Sequence, residues 1–253
     1  MTLRRGGGGD CFIFYKLKTL IDQYESYFQI NSPNYAPANV LELGMWDGGS
    51  LAFWNEILKP EKIVGIDLSD KKGGEYFNHY LNKINTDSNK KISAFWNTDQ
   101  ANAPRLREII EESFGIEPIN LVFDDASHMY EPSLASFNAI FPYMAIGGLY
   151  IIEDWAWGHW EGFESMFPHN SEPTKLIFEL VQASGNTGLI ESLTIFQGFV
   201  VVKRGAMPIK EAKEDFKLSN YVFNIPNSTK YYGYLKNKSF KEKLKMALGI
   251  FNQ

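Results

Sequence analysis

From residue 38 onward, short apolar runs alternate with longer stretches in which apolar positions recur every three or four residues. Runs of that length bounded by turn residues read as buried strands, and the 3.6-residue recurrence reads as helices laid against them. The expected strands are 39–43, 62–66, 91–96, 120–123, 148–152, 189–195 and 199–202, and the expected helices are 50–58, 75–84, 104–114, 134–141 and 172–182. Such alternation predicts an α/β fold: a Rossmann-like, seven-stranded, mostly parallel sheet with helices on both faces. The last two strands have no room for a crossover helix between them and should pair antiparallel. An amphipathic N-terminal helix is expected over 14–28. Residues 1–13, with the run Gly6 to Gly9, read as a flexible leader, residues 14–204 as the Rossmann-like domain, and residues 205–253 as an appendage. The appendage ends in an amphipathic helix at 239–251, with Phe240, Leu244, Ala247, Leu248 and Phe251 on one face.

Charge divides the chain at the same place. Of 25 basic and 30 acidic residues, the stretch from Lys203 to Lys245 holds 11 and 4, so the rest is strongly acidic. An acidic body is a poor match for nucleic acid, whose affinity depends on neutralising phosphates, and a nucleic-acid partner is not expected. The basic tail could meet an anionic membrane surface, but packing on its own body or on a sister subunit in a homo-oligomer is the preferred reading. A single cysteine, Cys11, excludes an intrachain disulfide and a multi-cysteine zinc site; with no signal-peptide pattern at the start, a cytoplasmic location is expected.

Candidate chemistry gathers where strands end. The stretch LELGMWDGGS at 41–50 is a strand running into a glycine-rich turn and a helix, a device that brings backbone N–H groups and a helix N-terminus to a ligand. Gly44, Gly48 and Gly49 do not have the spacing of the dinucleotide fingerprint, which argues against a pyrophosphate ligand. Glu42 suits a cationic amine better than a phosphate. About 20 residues on, Asp67 ends the second strand, where a carboxylate can accept both ribose hydroxyl protons. Thr98, Asp99 and Gln100 follow the third strand at the same sheet edge, placed to reach an adenine ring.

The fourth and fifth expected strands end in acids. Asp125 and Glu153 are 28 residues apart, the length of one strand-helix-strand crossover, so both should reach the C-terminal edge of neighbouring parallel strands. Asp125, Glu153 and Asp154 then crowd one small volume, where mutual repulsion would force a carboxyl to stay protonated unless a cation neutralises the group. Oxygen donors without a cysteine favour a hard divalent ion, magnesium ahead of manganese or calcium. His128, three positions after Asp125, is a candidate general base, since imidazole titrates near neutral pH. Trp155, Trp157 and Trp160, with Phe163 and Phe167, could wall an acceptor pocket or form a lid or an oligomer contact.

Together, LELGMWDGGS at 41–50, GID at 65–67, TDQ at 98–100, DDASH at 124–128 and GGLYIIED at 147–154 resemble class I S-adenosylmethionine-dependent methyltransferases. The resemblance is strongest to the metal-dependent macrolide sugar O-methyltransferases of the mycinamicin and macrocin kind, with the related cephalosporin hydroxylase group. It implies S-adenosylmethionine and Mg2+ or Mn2+ as cofactors and a hydroxyl of a sugar, glycan or glycosylated small molecule as acceptor. It further implies Asp125, Glu153 and Asp154 as metal ligands, with His128 and Asp125 at the catalytic centre. Glu42, Gly44, Gly48, Ser50, Asp67, Asp99, Gln100 and Asp124 would form the cofactor site. A metal-dependent hydroxylase and a non-catalytic nucleoside-binding module are the rivals; only His128 is well placed for the two-histidine, one-carboxylate set usual for non-haem iron.

Overall fold

The computed structural model describes residues 3–4, 12–14, 16–31, 35–70, 72–85, 91–162 and 172–222. Among these, seven strands form one sheet: β1 (Asn39–Leu43), β2 (Lys62–Ile66), β3 (Ile92–Phe95), β4 (Ile119–Asp124), β5 (Met144–Glu153), β6 (Ile190–Ile195) and β7 (Phe199–Arg204). Their order is β3-β2-β1-β4-β5-β7-β6. Neighbours are parallel except β5 with β7 and β7 with β6, as the absence of crossover chain before β7 requires. The helices are α1 (Lys18–Asn31), α2 (Gly49–Leu58), α3 (Glu75–Ile84), α4 (Ala103–Phe114), α5 (Tyr130–Ile140) and α6 (Thr174–Asn186). This is the Rossmann-like architecture that the alternation predicts.

Strand periodicity sorts the core into two layers. Leu41, Leu43, Val122, Tyr150, Ile152, Val200 and Val202 face the layer built from α4, α5 and α6, where Ile109, Phe137 and Leu180 are fully buried. Val40, Leu121, Phe123, Ile151 and Val201 face the layer of α1, α2 and α3, with Tyr24, Leu51, Trp54 and Phe77. All five residues of β1 are buried, which is why its sequence reads as an unbroken apolar run apart from Glu42.

Several boundaries differ from the sequence expectation for identifiable reasons. The helix expected from 134 begins at Tyr130, because Pro132 falls in the first turn, where its missing N–H costs no helical hydrogen bond. Strand β5 extends back to Met144 through a register shift between Ile119 and Leu121, with Gly147 at φ +79°. The N-terminal helix starts at Lys18 instead of 14. Phe14 stacks on Phe53 at 4.5 Å, and Phe12 packs edge-on to Tyr76 at 4.8 Å, so these two residues lie against α2 and α3. The compact unit around the sheet is Met1–Val222, and the segment after Arg204 adds Phe216, Leu218 and Tyr221 to its core. The amphipathic helix expected at 239–251 lies outside the described residues, as do Phe163 and Phe167.

The crevice that matters lies where the strand order reverses, between β1 and β4. Gly44 leaves β1 at φ +88°, and its N–H donates to the Ile66 carbonyl at 2.8 Å. A Cβ there would sit 2.1 Å from the Asp125 carbonyl oxygen, so the glycine lets the loop after β1 lie against the loop after β4. Replacing it forces backbone apart and strains φ. Gly44→Ala is expected to destabilise the domain by about 3 kcal/mol or more, read as a fall in the thermal or denaturant midpoint. A midpoint within a degree or two of the parent would show that the two loops are not in this contact.

Candidate active site at the C-terminal edge of the sheet

The acids at the ends of β4 and β5 converge as their spacing requires, but they meet a cation from the chain itself. Lys16, on the extended stretch before α1, donates to Asp125 Oδ2 at 2.8 Å and to both Glu153 oxygens at 2.7 and 2.8 Å. Its side chain is 2% exposed. Burial works against the ammonium, yet the charges of Asp125 and Glu153 outweigh it and hold the pKa above the usual lysine range. Tyr24 of α1, also buried, donates its hydroxyl to Glu153 Oε1 at 2.7 Å. Burial first, and then the Glu153 charge, push that phenol well above its ordinary range.

Beside this pair, Asp125, His128 and Asp154 each present a ligand atom, all within 4.8 Å of one another. His128 and Asp154 adopt left-handed backbone conformations, φ +53° and +49°, which is uncommon outside glycine and turns their side chains toward the shared volume. His128 Nε2 lies 3.7 Å from Asp125 Oδ1. The His128 carbonyl accepts from the Trp157 indole, and the Asp154 N–H donates to the Gly198 carbonyl at 2.8 Å, so both loops are tied down. Burial raises the Asp154 carboxyl, while the facing imidazole pulls it down. Glu153, expected as a ligand beside Asp125 and Asp154, is outside this group among the described residues, and its oxygens accept from Lys16 and Tyr24. The remaining set of two carboxylates and one imidazole, brought together by small torsional adjustments, fits a divalent ion.

The residues expected around a nucleoside divide into two groups. Asp67 closes the turn after β1: its Oδ2 accepts from the Trp46 N–H at 2.6 Å and its Oδ1 from the Ser69 N–H at 2.7 Å, leaving each oxygen a further lone pair. Asp99 is exposed and accepts from the Ala101 N–H at 2.8 Å. Gly48 begins α2 at φ +82°, and a Cβ there would strike the Phe77 ring. Its small size therefore serves packing against α3 as well as the turn. Gln100 and Asp124, by contrast, turn inward. The Gln100 amide donates to Asp124 Oδ1 and Ser136 Oγ, both at 3.2 Å, and its carbonyl accepts from the Ser127 N–H at 2.7 Å. Tyr150 and Ser136 donate to Asp124 Oδ2 at 2.9 and 3.0 Å. Burial raises Asp124, which the network offsets in part.

Glu42 sits among these groups with no exposed surface, and neither carboxylate oxygen makes a hydrogen bond to a described residue. Burial pushes its pKa up to about 8, with the Lys16 charge and the Ser50 hydroxyl acting the other way. Sequence reading missed Lys16 and Tyr24, because 137 and 129 residues separate them from Glu153. What it did contain was the demand for a positive charge beside the crowded acids.

Fold and edge together define a Rossmann-like domain, and residues 41–155, a little under half of the chain, match a family model described as a methyltransferase domain. Demethylmacrocin O-methyltransferase of Streptomyces fradiae is 32% identical over 131 residues, covering 49% of this chain and 29% of that protein. Mycinamicin VI 2''-O-methyltransferase of Micromonospora griseorubida is 34% identical over 131 residues, with the same two coverages, 49% and 29%. The MycE methyltransferase from the mycinamycin biosynthetic pathway, solved in complex with Mg and SAH, superposes with a TM-score of 0.56 at 26% identity, covering 76% of this chain and 51% of that one. The resemblance to macrolide sugar O-methyltransferases is thereby borne out. The matches span about three tenths of the curated relatives' length.

The Glu42 environment has a consequence for stability. Its folded pKa of about 8 exceeds the ordinary 4.5, so the folded state keeps a proton that the unfolded state has released over that interval. Stability from this group falls as pH rises from about 4.5 to about 8 and is level above. Glu42→Gln, which keeps the shape without the titration, should gain on the parent across that window by up to a few kcal/mol. Denaturant melts at both ends of the window check this; a stability difference independent of pH would contradict it.

Proposed function

We propose that this chain is an S-adenosylmethionine-dependent, divalent-metal-assisted O-methyltransferase acting on a hydroxyl of a sugar or glycosylated small molecule. The observation that carries the reading is the clustering of Asp125, His128 and Asp154 at the ends of β4 and β5, across from the glycine turn of β1. Similarity to the two named sugar O-methyltransferases, and to a methyltransferase solved with Mg and SAH, supports it.

In this reading Glu42, a buried carboxyl with unspent acceptors, receives the cationic amine of the cofactor, and Gly44, Gly48 and Ser50 line the turn beneath it. Asp67 receives the ribose hydroxyls on its remaining lone pairs, and Asp99 lies toward the base. Gln100 and Asp124 support the floor of the site through their mutual hydrogen bonds. His128 takes the proton of the acceptor hydroxyl, and Asp125 faces the imidazole and orients it. The acceptor oxygen forms a bond to the methyl carbon as the carbon–sulfur bond breaks, and the electron pair stays on sulfur, which becomes a neutral thioether. The sulfonium is already activated, so the protein's share is alignment of oxygen, carbon and sulfur and removal of the hydroxyl proton. Asp125 and Asp154, with Glu153 when it is free of Lys16, would hold the ion, which when bound makes a sugar hydroxyl easier to deprotonate.

Cytoplasmic location and a homo-oligomer complete the reading; among the described residues no helix is long and apolar enough to cross a membrane. Asp125→Asn is expected to cut methyl transfer by about a hundredfold or more while leaving calorimetric binding of S-adenosylmethionine within about twofold. Asp67→Ala should weaken cofactor binding by roughly tenfold or more. Equal loss of both properties in both variants would remove the division of labour. Transfer of labelled methyl to a panel of nucleotide sugars, glycans and phenols, with and without a chelator, tests acceptor class and metal use together. Cofactor binding with no transfer to any acceptor would favour a binding module.

A further inference from the structure

The carboxylates that the proposed function assigns to an ion already hold a positive charge. The Lys16 ammonium lies within 2.8 Å of one Asp125 oxygen and both Glu153 oxygens, and so fills the space between the two carboxyl groups. Its position does not follow from a local helix, since α1 begins two residues later. It is set by aromatic anchoring of Phe12 and Phe14 over α2 and α3. Nearby, Glu42 remains fully buried with both oxygens unpartnered, so the pocket retains acceptors beyond those that one ammonium satisfies.

We propose that Lys16 and a divalent ion compete for the Asp125–Glu153 pair, making Lys16 a resident cation that must swing aside before an ion can use Glu153 as a ligand. This rests on the metal-assisted reading above and adds a cost to ion binding that the carboxylates alone would not impose. With Lys16 seated, an ion has only the Asp125 and Asp154 carboxylates of that cluster, and must share Asp125 with the ammonium. With Lys16 displaced, Glu153 joins the set. By linkage, whatever Lys16 costs the ion, the ion costs the seated lysine.

The test uses Mn2+ on the full chain, followed by paramagnetic resonance or calorimetry. Lys16→Met should bind Mn2+ about tenfold or more tightly than the parent, the size of effect expected for groups that restrain metal ligands. Lys16→Arg, which keeps the charge, should bind no more tightly than the parent. Independently of any variant's folding, saturating Mn2+ should raise acylation of Lys16 by an amine-reactive reagent in the parent protein, located by peptide mass spectrometry. Mn2+ affinity in folded Lys16→Met equal to or weaker than the parent's would overturn the competition. So would unchanged labelling of Lys16 with the ion bound, and either result would leave the metal-assisted reading intact. Absence of Mn2+ binding in the parent and both variants would overturn the competition and the metal-assisted reading together.

Discussion

Two carboxylates brought to the ends of adjacent parallel strands, one of them fully buried, need either a shared proton or a cation between them. β4 and β5 are such neighbours, and Asp125 and Glu153 leave them at equivalent places on the sheet edge. The parallel register makes the encounter unavoidable: once Phe123 pairs with Ile151 and Asp124 with Ile152, the next residues on both strands share one volume. Lys16 answers that constraint, and Tyr24 satisfies a further lone pair on Glu153. Removing one partner from a buried ion pair costs on the order of 3–5 kcal/mol, since the other charge is left uncompensated. The extended chain before α1 is therefore part of the site's electrostatics and not a mere connection to it.

Around that charge the loops restrain one another through backbone. The turn after β1 lies on the Asp125 carbonyl because Gly44 has no side chain, and the Asp125 N–H donates to the Leu43 carbonyl at 3.0 Å. Five non-glycine residues among those described hold left-handed conformations in loops at this edge: Trp46 after β1, Lys72 after β2, Asn97 after β3, His128 after β4 and Asp154 after β5. Each costs roughly 1 kcal/mol or more relative to an ordinary conformation. Strain gathered at one edge of an otherwise regular sheet points to that edge as the working end, and the hydrogen bonds from the Trp46 N–H to Asp67 and from the Trp157 indole to the His128 carbonyl hold it there.

How much of this the sequence disclosed follows from how local each cause is. Strands β1 and β2 were legible to the residue, because burial on both faces leaves short, mostly apolar runs between turn residues. The meeting of the acids was legible too, since a 28-residue crossover leads to neighbouring parallel strands. The start of α1 was not: residues 14–17 scan as a continuation of the helix, whereas Phe12 and Phe14 pack on the sequence-distant rings of Tyr76 and Phe53 and the helix begins at Lys18. Gln100 and Asp124 were legible as polar groups near the edge, yet their direction depends on Ser136 and Tyr150, which lie 36 and 26 residues away from them respectively. The charge requirement could be deduced from spacing, while the residue that meets it depends on packing across more than a hundred positions.

The aromatic stretch after β5 shows the same distinction between composition and role. Three tryptophans within six residues suggest a wall for an acceptor, but two of them are committed to backbone. Trp155 donates its indole N–H to the Phe196 carbonyl at 2.9 Å, bracing the turn between β6 and β7, and Trp157 donates to the carbonyl of His128. An indole bonded to that carbonyl acts on the peptide plane of a residue held in a left-handed conformation, and so on the direction of its imidazole. The loop carrying Asp154 and the loop carrying His128 are thus joined twice, through the facing side chains and through Trp157. A shift of one loop must alter the other, which couples the placement of the His128 imidazole to the placement of the neighbouring Asp154 carboxylate.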